Sequence, residues 1–310
     1  HMHLYCSGSV PSFYGMNDAF LRDSITPDTY RSDMQKILHG AEIRLNMIPM
    51  PDPILSENDS GMRKKVNQYV SSFSQNGRGD CASLYVLPTQ TEEQIAKEVD
   101  ELGVRALKCY CYAAKKANVE ALAVGEFLPE AAWHVANEKS LPIILHLMRP
   151  AALSDADNFS YITAHAAKYP NAKLILAHCA RGFASWTAVS KIRALEDCEN
   201  VWFDLAAICE PAPIMAAILE NAGKKTMWGS DYPICMHRGR AVSIGNSQDW
   251  LMGQSYSGPE RTYIAIENLN AFYQAALLLQ LDQTQIDSIF YDNASRCFGG
   301  EVGVVTNGRN

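Results

Sequence analysis

The feature that most constrains the fold of this chain is a rhythm that repeats from about residue 41 onward. A short apolar run rich in β-branched residues is followed by a polar loop, and then by a segment with helical periodicity. Nearly continuous apolar runs are typical of strands in a parallel sheet whose two faces are both covered by helices. The pattern predicts seven strands, over residues 43–50, 82–87, 104–112, 142–147, 173–180, 201–205 and 226–229.

Helices are predicted between these strands, among them residues 62–74, 92–102, 129–139, 161–168, 185–195 and 212–222. The alternation predicts an α/β protein, and an eightfold repeat closes into a (β/α)8 TIM barrel. The eighth strand is expected before residue 1, or as the short run 1–5, so that the first strand is truncated. Further helices follow from residue 259. We expect one barrel domain over residues 1–299 and a flexible tail over residues 300–310.

The charge and the cysteine content of the chain limit which binding partners and which cellular compartment are expected. The chain has 27 Lys and Arg against 34 Asp and Glu, a net charge of −7, which disfavours a nucleic-acid partner. No apolar stretch reaches the roughly 18 residues of a membrane helix, so no membrane partner is expected. Nine irregularly spaced cysteines indicate a reduced, cytoplasmic protein. A small-molecule substrate is expected, and the choice between a monomer and a homodimer stays open.

Polar residues stand at the ends of four of the predicted strands. They are Lys108, His146, His178 and Asp231. In a (β/α)8 barrel the catalytic groups lie at the carboxyl ends of the strands, where all eight strands meet at one mouth. The sequence therefore predicts that these four side chains share one active site.

Histidines at the chain start extend this pattern. His1 and His3 are two residues apart, so on a strand both imidazoles point to the same face and are able to hold one metal ion. An initial His-Met is also what a cleaved affinity tag leaves, so the origin of His1 stays open. Three other histidines, His39, His134 and His165, lie on helical segments and are interpreted as outer-face residues.

Taken together, these residues resemble the signature of the amidohydrolase superfamily. More narrowly, the chain resembles the branch with 2-pyrone-4,6-dicarboxylate lactonase and the aminocarboxymuconate-semialdehyde and resorcylate decarboxylases. The resemblance rests on five runs: His-Met-His at 1–3, Leu-His at 145–146, Ala-His-Cys-Ala-Arg at 177–181, Gly-Ser-Asp-Tyr-Pro at 229–233 and Asn-Ala-Ser-Arg-Cys-Phe-Gly at 293–299.

The resemblance implies a metal-dependent mechanism. One divalent ion, zinc first and manganese second, would be held by His1, His3, His146 and Asp231, although a metal-free enzyme also occurs in this branch. Such an ion lowers the pKa of bound water toward 7. Asp231 would also take the proton of that water, and His178 would act as an acid, a base or a carbonyl-polarising group.

The substrate candidates are cationic and aromatic residues near the strand ends. Lys108 has two interpretations: carboxylated, it would bridge two metals, and free, it would bind a substrate carboxylate, which we favour. An arginine fork matches a carboxylate in the same way. The predicted substrate contacts are Lys108, Tyr110, Arg149 and Arg181, with Arg238 and Arg240 as further candidates after the last strand.

Three functions follow from these predictions. The first is hydrolysis of a C–O or C–N bond, in a lactone, an amide or a similar group, of a small carboxylated substrate. The second is non-oxidative decarboxylation on the same metal site. The third is a catalytically impaired barrel, because the first strand is short.

Overall fold

Eight parallel strands follow one another in chain order around a single sheet in the computed structural model, which describes residues 1–7, 22–50, 60–74, 78–114, 116–252 and 261–299. All seven strands predicted from the apolar runs are present. The strands are β1 (Met2–Leu4), β2 (Asn46–Pro49), β3 (Cys81–Val86), β4 (Ala106–Cys109), β5 (Pro142–Leu145), β6 (Lys173–Leu176), β7 (Val201–Asp204) and β8 (Thr226–Met227).

The short strand β1 closes the barrel between its two neighbours. It pairs in parallel with β2 along all three of its residues. On its other side, the His3 amide donates to the Tyr232 carbonyl at 2.8 Å, just after β8. The prediction of a (β/α)8 barrel is thus confirmed, with the first strand as a run of three residues within the expected 1–5.

Helices surround the sheet, joined by short 3₁₀ turns. The α-helices are α1 (Pro27–Met34), α2 (Ser60–Ser71), α3 (Glu92–Leu102), α4 (Glu130–Lys139), α5 (Ala156–Lys168), α6 (Ser185–Val189), α7 (Pro211–Asn221), α8 (Ile264–Leu279), α9 (Gln283–Asp287) and α10 (Asn293–Phe298). The extra C-terminal helices predicted from residue 259 onward are α8 to α10.

The helix predicted over residues 185–195 is shorter than expected. The helix α6 ends at Val189, and a 3₁₀ turn follows over Ile192–Leu195. The Thr187 carbonyl, which would accept from Lys191 in a continuous helix, accepts from the Ser154 hydroxyl instead. The Lys191 amide turns to Ala188, one residue closer. A tertiary hydrogen bond has therefore interrupted a helix that local periodicity favours.

An antiparallel hairpin stands where a loop was predicted after β8. Its strands are β9 (Gly239–Ile244) and β10 (Ser247–Met252). A two-residue turn connects them, with Gly245 at φ 57°. Glycine adopts this left-handed conformation without steric cost, which suits a tight hairpin turn.

Apolar side chains fill two layers, one inside the barrel and one between the sheet and the helices. The outer layer is the larger and takes alternate residues of each strand, such as Leu107, Ile143 and Leu174. The inner layer closes the amino end of the barrel with α10 and consists of Ile48, Ala106, Ile144, Ile175, Ala177, Trp202, Met227 and Cys297. Strand parity therefore decides which side chains enter the barrel.

Two further sequence predictions concern the C-terminal tail and the number of domains. The tail predicted over residues 300–310 lies outside the described residues, and the assignment of residues 1–299 to one domain stays a prediction. Among the described residues, each helix is too short or too polar to cross a lipid bilayer.

Candidate active site

Polar side chains take over the barrel interior at the carboxyl ends of the strands. Lys108 is two residues beyond Ala106 on β4, His146 is two beyond Ile144 on β5, and Asp204 is two beyond Trp202 on β7. Because side chains two apart share a face, each of these groups points into the barrel just above the apolar layer. Lys108 and Asp204 are buried, with 2% and 4% of their surfaces exposed.

His178 reaches the same mouth by a different route. Ala177 points into the barrel, and successive side chains of a strand point to opposite faces. In a continued strand, His178 would therefore point outward. The chain instead leaves β6 in a left-handed turn, with φ between 49° and 60° at residues 178–181. Such conformations are rare for residues other than glycine and cost of order 1 kcal/mol or more each. The turn brings the His178 ring to 5.0 Å from that of His146, between ring centroids.

Three ligand-type side chains converge at the centre of the mouth. His3 Nε2 lies 3.0 Å from Asp231 Oδ1 and 3.2 Å from His1 Nε2. His1 Nε2 lies 3.5 Å from the same Asp231 oxygen. The Gly-Ser-Asp run permits this approach, because a Cβ on Gly229 would lie 2.9 Å from the Cβ of His1.

The hydrogen bonds that Nδ1 forms in His1 and in His3 determine which ring nitrogen carries the proton. His1 Nδ1 donates to the Asp204 carboxylate. Tyr110 donates its single hydroxyl proton to the Pro49 carbonyl at 2.7 Å, so at 3.1 Å His3 Nδ1 donates to the Tyr110 oxygen. With its proton on Nδ1, the neutral His3 ring turns a lone pair at Nε2 toward His1 Nε2 and toward the Asp231 carboxylate.

The lone pairs of His3 and Asp231 repel one another unless a cation lies between them. Burial lowers the pKa of His3 to about 4, so at neutral pH His3 does not supply the missing positive charge. Four tetrahedral ligands at about 2.05 Å from zinc are about 3.3 Å apart, and the three separations here range from 3.0 to 3.5 Å. The residues therefore fit a divalent metal ion, with imidazole and carboxylate as suitable ligands.

His178 is held as a neutral base beside this cluster. Its Nδ1 donates to the Ala206 carbonyl at 2.8 Å, which leaves a lone pair on Nε2. Burial lowers the pKa of His178 below its ordinary value. In this form the ring accepts a proton, but it offers no Nε2–H to polarise a carbonyl.

The predicted metal ligands are partly brought together. His1, His3 and Asp231 form the group whose ligand atoms lie within 4.8 Å of one another, and His146 stands outside that group, next to His178. The roles given to these four residues, and to His178, stay predictions. The histidines assigned to the outer face, His39, His134 and His165, lie in the helical layer or its loops.

The predicted substrate cations divide into two kinds. Arg149 forms ion pairs with Asp155 at 2.9 Å and Asp157 at 2.7 Å, so its charge is already matched by carboxylates at the start of α5. Arg181 forms no ion pair within the described part of the chain, and its guanidinium donates to the Arg149 carbonyl at 3.5 Å. Lys108 is buried under the Tyr110 ring, with Nζ 5.1 Å from the ring centroid, and burial lowers its pKa.

Arg238 and Arg240 lie at the start of the hairpin, where the sequence predicts a loop, and both form contacts within the protein. Arg240 donates to the Cys209 carbonyl at 2.8 Å and lies 3.5 Å from Glu267. Arg238 donates to the Arg261 carbonyl at 2.8 Å. Both side chains thus tie this segment to neighbouring loops and, through Glu267, to α8.

Sequence reasoning missed Asp204 and one aromatic wall. Asp204 ends β7 in the position that Lys108 and His146 occupy on their own strands, so the same strand-end rule would have found it. The wall consists of Phe183, whose ring lies 5.1 Å from His178, and Trp250 of β10, 4.9 Å from Phe183. Trp250 had no signal in the sequence, because the hairpin that carries it was not predicted.

Comparisons with known proteins bear on both the sequence and the fold. A sequence profile of the amidohydrolase family matches residues 63–300. No curated protein matches the chain by sequence. An amidohydrolase from Burkholderia multivorans is similar in structure, with a TM-score of 0.63 with bound HEPES and 0.61 with bound zinc; identity is 14%, over 96% of this chain and 97% of that chain.

Two decarboxylases are also similar in structure. The 5-carboxyvanillate decarboxylase of Sphingomonas paucimobilis has a TM-score of 0.56 and 12% identity, over 90% of this chain and 84% of that chain. A dihydroxybenzoic acid decarboxylase from a Polaromonas species, with bound manganese and the inhibitor 2-nitroresorcinol, has a TM-score of 0.52 and 16% identity, over 89% and 86%. At these identities the likeness concerns the fold alone.

Proposed function

Because the chain belongs to the amidohydrolase family, we propose that it is a hydrolase that uses one divalent metal ion to cleave a C–O or C–N bond of a small carboxylated substrate. The observation that carries this proposal is the convergence of three ligand atoms, from His1, His3 and Asp231, within 3.0 to 3.5 Å of one another. Zinc and manganese are the ions found in the similar structures.

A bound ion would lower the pKa of a water molecule and polarise the substrate oxygen. His1, His3 and Asp231 would hold it. The proton of the attacking water goes to His178 in this proposal, because its Nε2 lone pair is available and its Nδ1 is anchored on Ala206. Asp231 would be occupied as a metal ligand in this proposal, because its Oδ1 lies 3.0 Å from His3 Nε2 and 3.5 Å from His1 Nε2.

The walls of the mouth suit a flat anionic substrate. The Tyr110 and Tyr112 rings stack at 5.9 Å on one side, and Phe183 and Trp250 stand near His178. Lys108 and Arg181 supply positive charge that no carboxylate among the described residues pairs within 4 Å. A cationic mouth attracts an acid even though the net charge of the chain is −7.

Decarboxylation is the second candidate, because the same cations would bind the carboxylate that leaves. That reaction needs a proton donor for the substrate carbon. His178 in its neutral form presents an acceptor instead, and this feature favours hydrolysis.

The test is a substrate screen with the protein loaded in turn with zinc and with manganese. The panel would contain carboxylated lactones, carboxylated amides and hydroxylated aromatic acids, with neutral esters of each as controls. Hydrolysis of a carboxylated lactone or amide that is abolished by a chelator and restored by the metal is the expected result. Carbon dioxide release from the aromatic acids, without hydrolysis, would select the decarboxylase. No turnover by the metal-loaded protein on any compound would favour the catalytically impaired barrel.

A further inference from the structure

We propose that the turn after β7, residues 204–208, is the positioning element of this site, orienting His1 through Asp204 and His178 through the Ala206 carbonyl, with Asn268 of α8 holding the turn from behind. The inference rests on the proposed metal site for its effect on metal binding. Its effect on the two histidine rings stands on hydrogen bonds alone.

Asp204 links the turn to His1 by using both of its oxygens. Oδ2 accepts from His1 Nδ1, and Oδ1 accepts from the Ala206 amide at 2.6 Å. The carbonyl of the same Ala206 accepts from His178 Nδ1 at 2.8 Å. One short turn therefore sets the tautomer and the direction of two rings that lie 177 residues apart in the sequence. Partners of this kind raise the affinity of the histidines they orient for a metal.

The turn needs support, because it contains a strained residue. Ala207 has a φ of 58°, a left-handed conformation that a residue with a Cβ rarely adopts. Asn268 donates from Nδ2 to the Leu205 and Ile208 carbonyls, both at 2.8 Å, one on each side of Ala207. Its side-chain oxygen accepts from Trp228 Nε1 at 2.8 Å, next to the Gly-Ser-Asp run. Asn268 thus ties the turn after β7 to the end of β8.

Asn268 is buried, with 1% of its surface exposed, and both of its polar atoms are used. The chain offers a matched control at the opposite end of the barrel. Asn293 is also buried and donates from Nδ2 to the Gly223 and Thr226 carbonyls, both at 2.7 Å. Loss of either amide removes comparable hydrogen bonds, but only Asn268 supports the turn that holds His178.

The first experiment reads the histidine tautomers in metal-free protein labelled with 15N at its histidine rings. Wild-type His1 and His178 are expected to carry their protons on Nδ1. In Asn268→Leu, His178 is expected to show a mixture of tautomers, whereas Asn293→Leu keeps the wild-type pattern. In Asp204→Asn, His1 is expected to shift its proton to Nε2, because the amide NH₂ then faces Nδ1.

The second experiment measures cobalt and zinc affinity by competition with a chelator. Asp204→Asn is expected to weaken binding by about 10- to 100-fold. The matched variant Asp80→Asn replaces a buried carboxylate at the amino end of the barrel and is expected to bind within twofold of wild type. Thermal melting of each variant checks that the fold is retained, and Asp204→Asn, which is nearly isosteric, decides the matter if Asn268→Leu does not fold.

The two proposals fail in different ways. A folded wild-type protein that binds neither metal contradicts the proposed function, while the tautomers still decide the role of the turn. Wild-type tautomers in both Asp204→Asn and Asn268→Leu, or equal shifts in Asn268→Leu and Asn293→Leu, would overturn the inference. So would wild-type metal affinity in folded Asp204→Asn.

Discussion

The two ends of this barrel both bury polar side chains, but they satisfy them in opposite ways. At the amino end, Asp80 accepts from the Leu45 amide at 2.9 Å and pairs with Arg31 at 2.6 Å. Asn293 donates to the Gly223 and Thr226 carbonyls, both at 2.7 Å. At the carboxyl end, His1 Nε2, His3 Nε2 and Asp231 Oδ1 face one another, and the lone pairs of His3 and Asp231 lie 3.0 Å apart.

We propose that this difference separates a structural cluster from a metal-binding one. Buried polar groups that meet their complements stabilise a fold and require nothing further. Buried acceptors that face acceptors destabilise the folded state until a cation binds among them. On this proposal a bound metal stabilises the carboxyl end, whereas the buried polar groups described at the amino end, Asp80 and Asn293, already meet their partners.

The largest expected effect breaks the carboxyl-end cluster. Asp231→Asn keeps the size of the side chain but removes the negative charge that a metal ligand needs. We expect kcat/KM on the best substrate of the screen to fall at least about a thousandfold, which corresponds to about 4 kcal/mol. Steady-state kinetics measure the loss, and a melting curve close to that of wild type shows that the chemistry has failed rather than the fold. Activity near that of wild type would refute the assignment of Asp231.

The amino end should respond in stability instead. Asp80→Ala leaves Arg31, which is largely buried, without its carboxylate, and it leaves the Leu45 amide without an acceptor. We expect the free energy of unfolding to fall by about 3 kcal/mol, at the lower end of the range for broken buried pairs. Urea denaturation measures the fall. Unchanged zinc affinity in the folded fraction is expected, and a large loss of affinity would show that the two ends are not independent.

A pair of arginines sharpens the comparison within the carboxyl end. Arg181→Met should lower kcat/KM by about 10- to 150-fold for a carboxylated substrate, because a charge-assisted hydrogen bond contributes about 1.5–3 kcal/mol. Arg149→Met should have little effect on turnover, since Arg149 is paired with Asp155 and Asp157. Kinetics on a charged substrate and on its neutral analogue measure both variants. Equal losses on the two compounds would show that Arg181 is structural.

The smallest expected effect is a pH dependence of stability at the carboxyl end. Burial lowers the pKa of His178 in the folded protein. Below the unfolded pKa of about 6.5, the unfolded chain therefore binds more protons than the folded one, and stability falls as pH falls. The contribution of His178 is at most about 1.4 kcal/mol per pH unit. Urea denaturation of metal-free protein between pH 7.5 and 5 should show a shallower slope for His178→Gln than for wild type; equal slopes would contradict a neutral buried His178.

The sequence by itself determined the barrel and many of the polar residues at its carboxyl end. Apolar runs of strand length mark the sheet because a parallel strand is buried on both faces. In a barrel, a polar residue at the carboxyl end of such a run lies at the mouth where the active site of this fold is found. Lys108, His146 and Asp231 follow from this rule, and Asp204 obeys it as well, although it was not singled out.

Only the tertiary structure decided how these groups meet. His178 departs from strand parity, and a left-handed turn with positive φ at four successive residues brings it inward. Arg149 and Arg181 are equivalent in sequence spacing, yet Asp155 and Asp157 pair with only one of them. Asn268 lies on a distant helix and has no local signal. The physical reason is that hydrogen bonds between residues far apart in the chain fix ring directions and tautomers, whereas local sequence fixes only the strand that carries each ring.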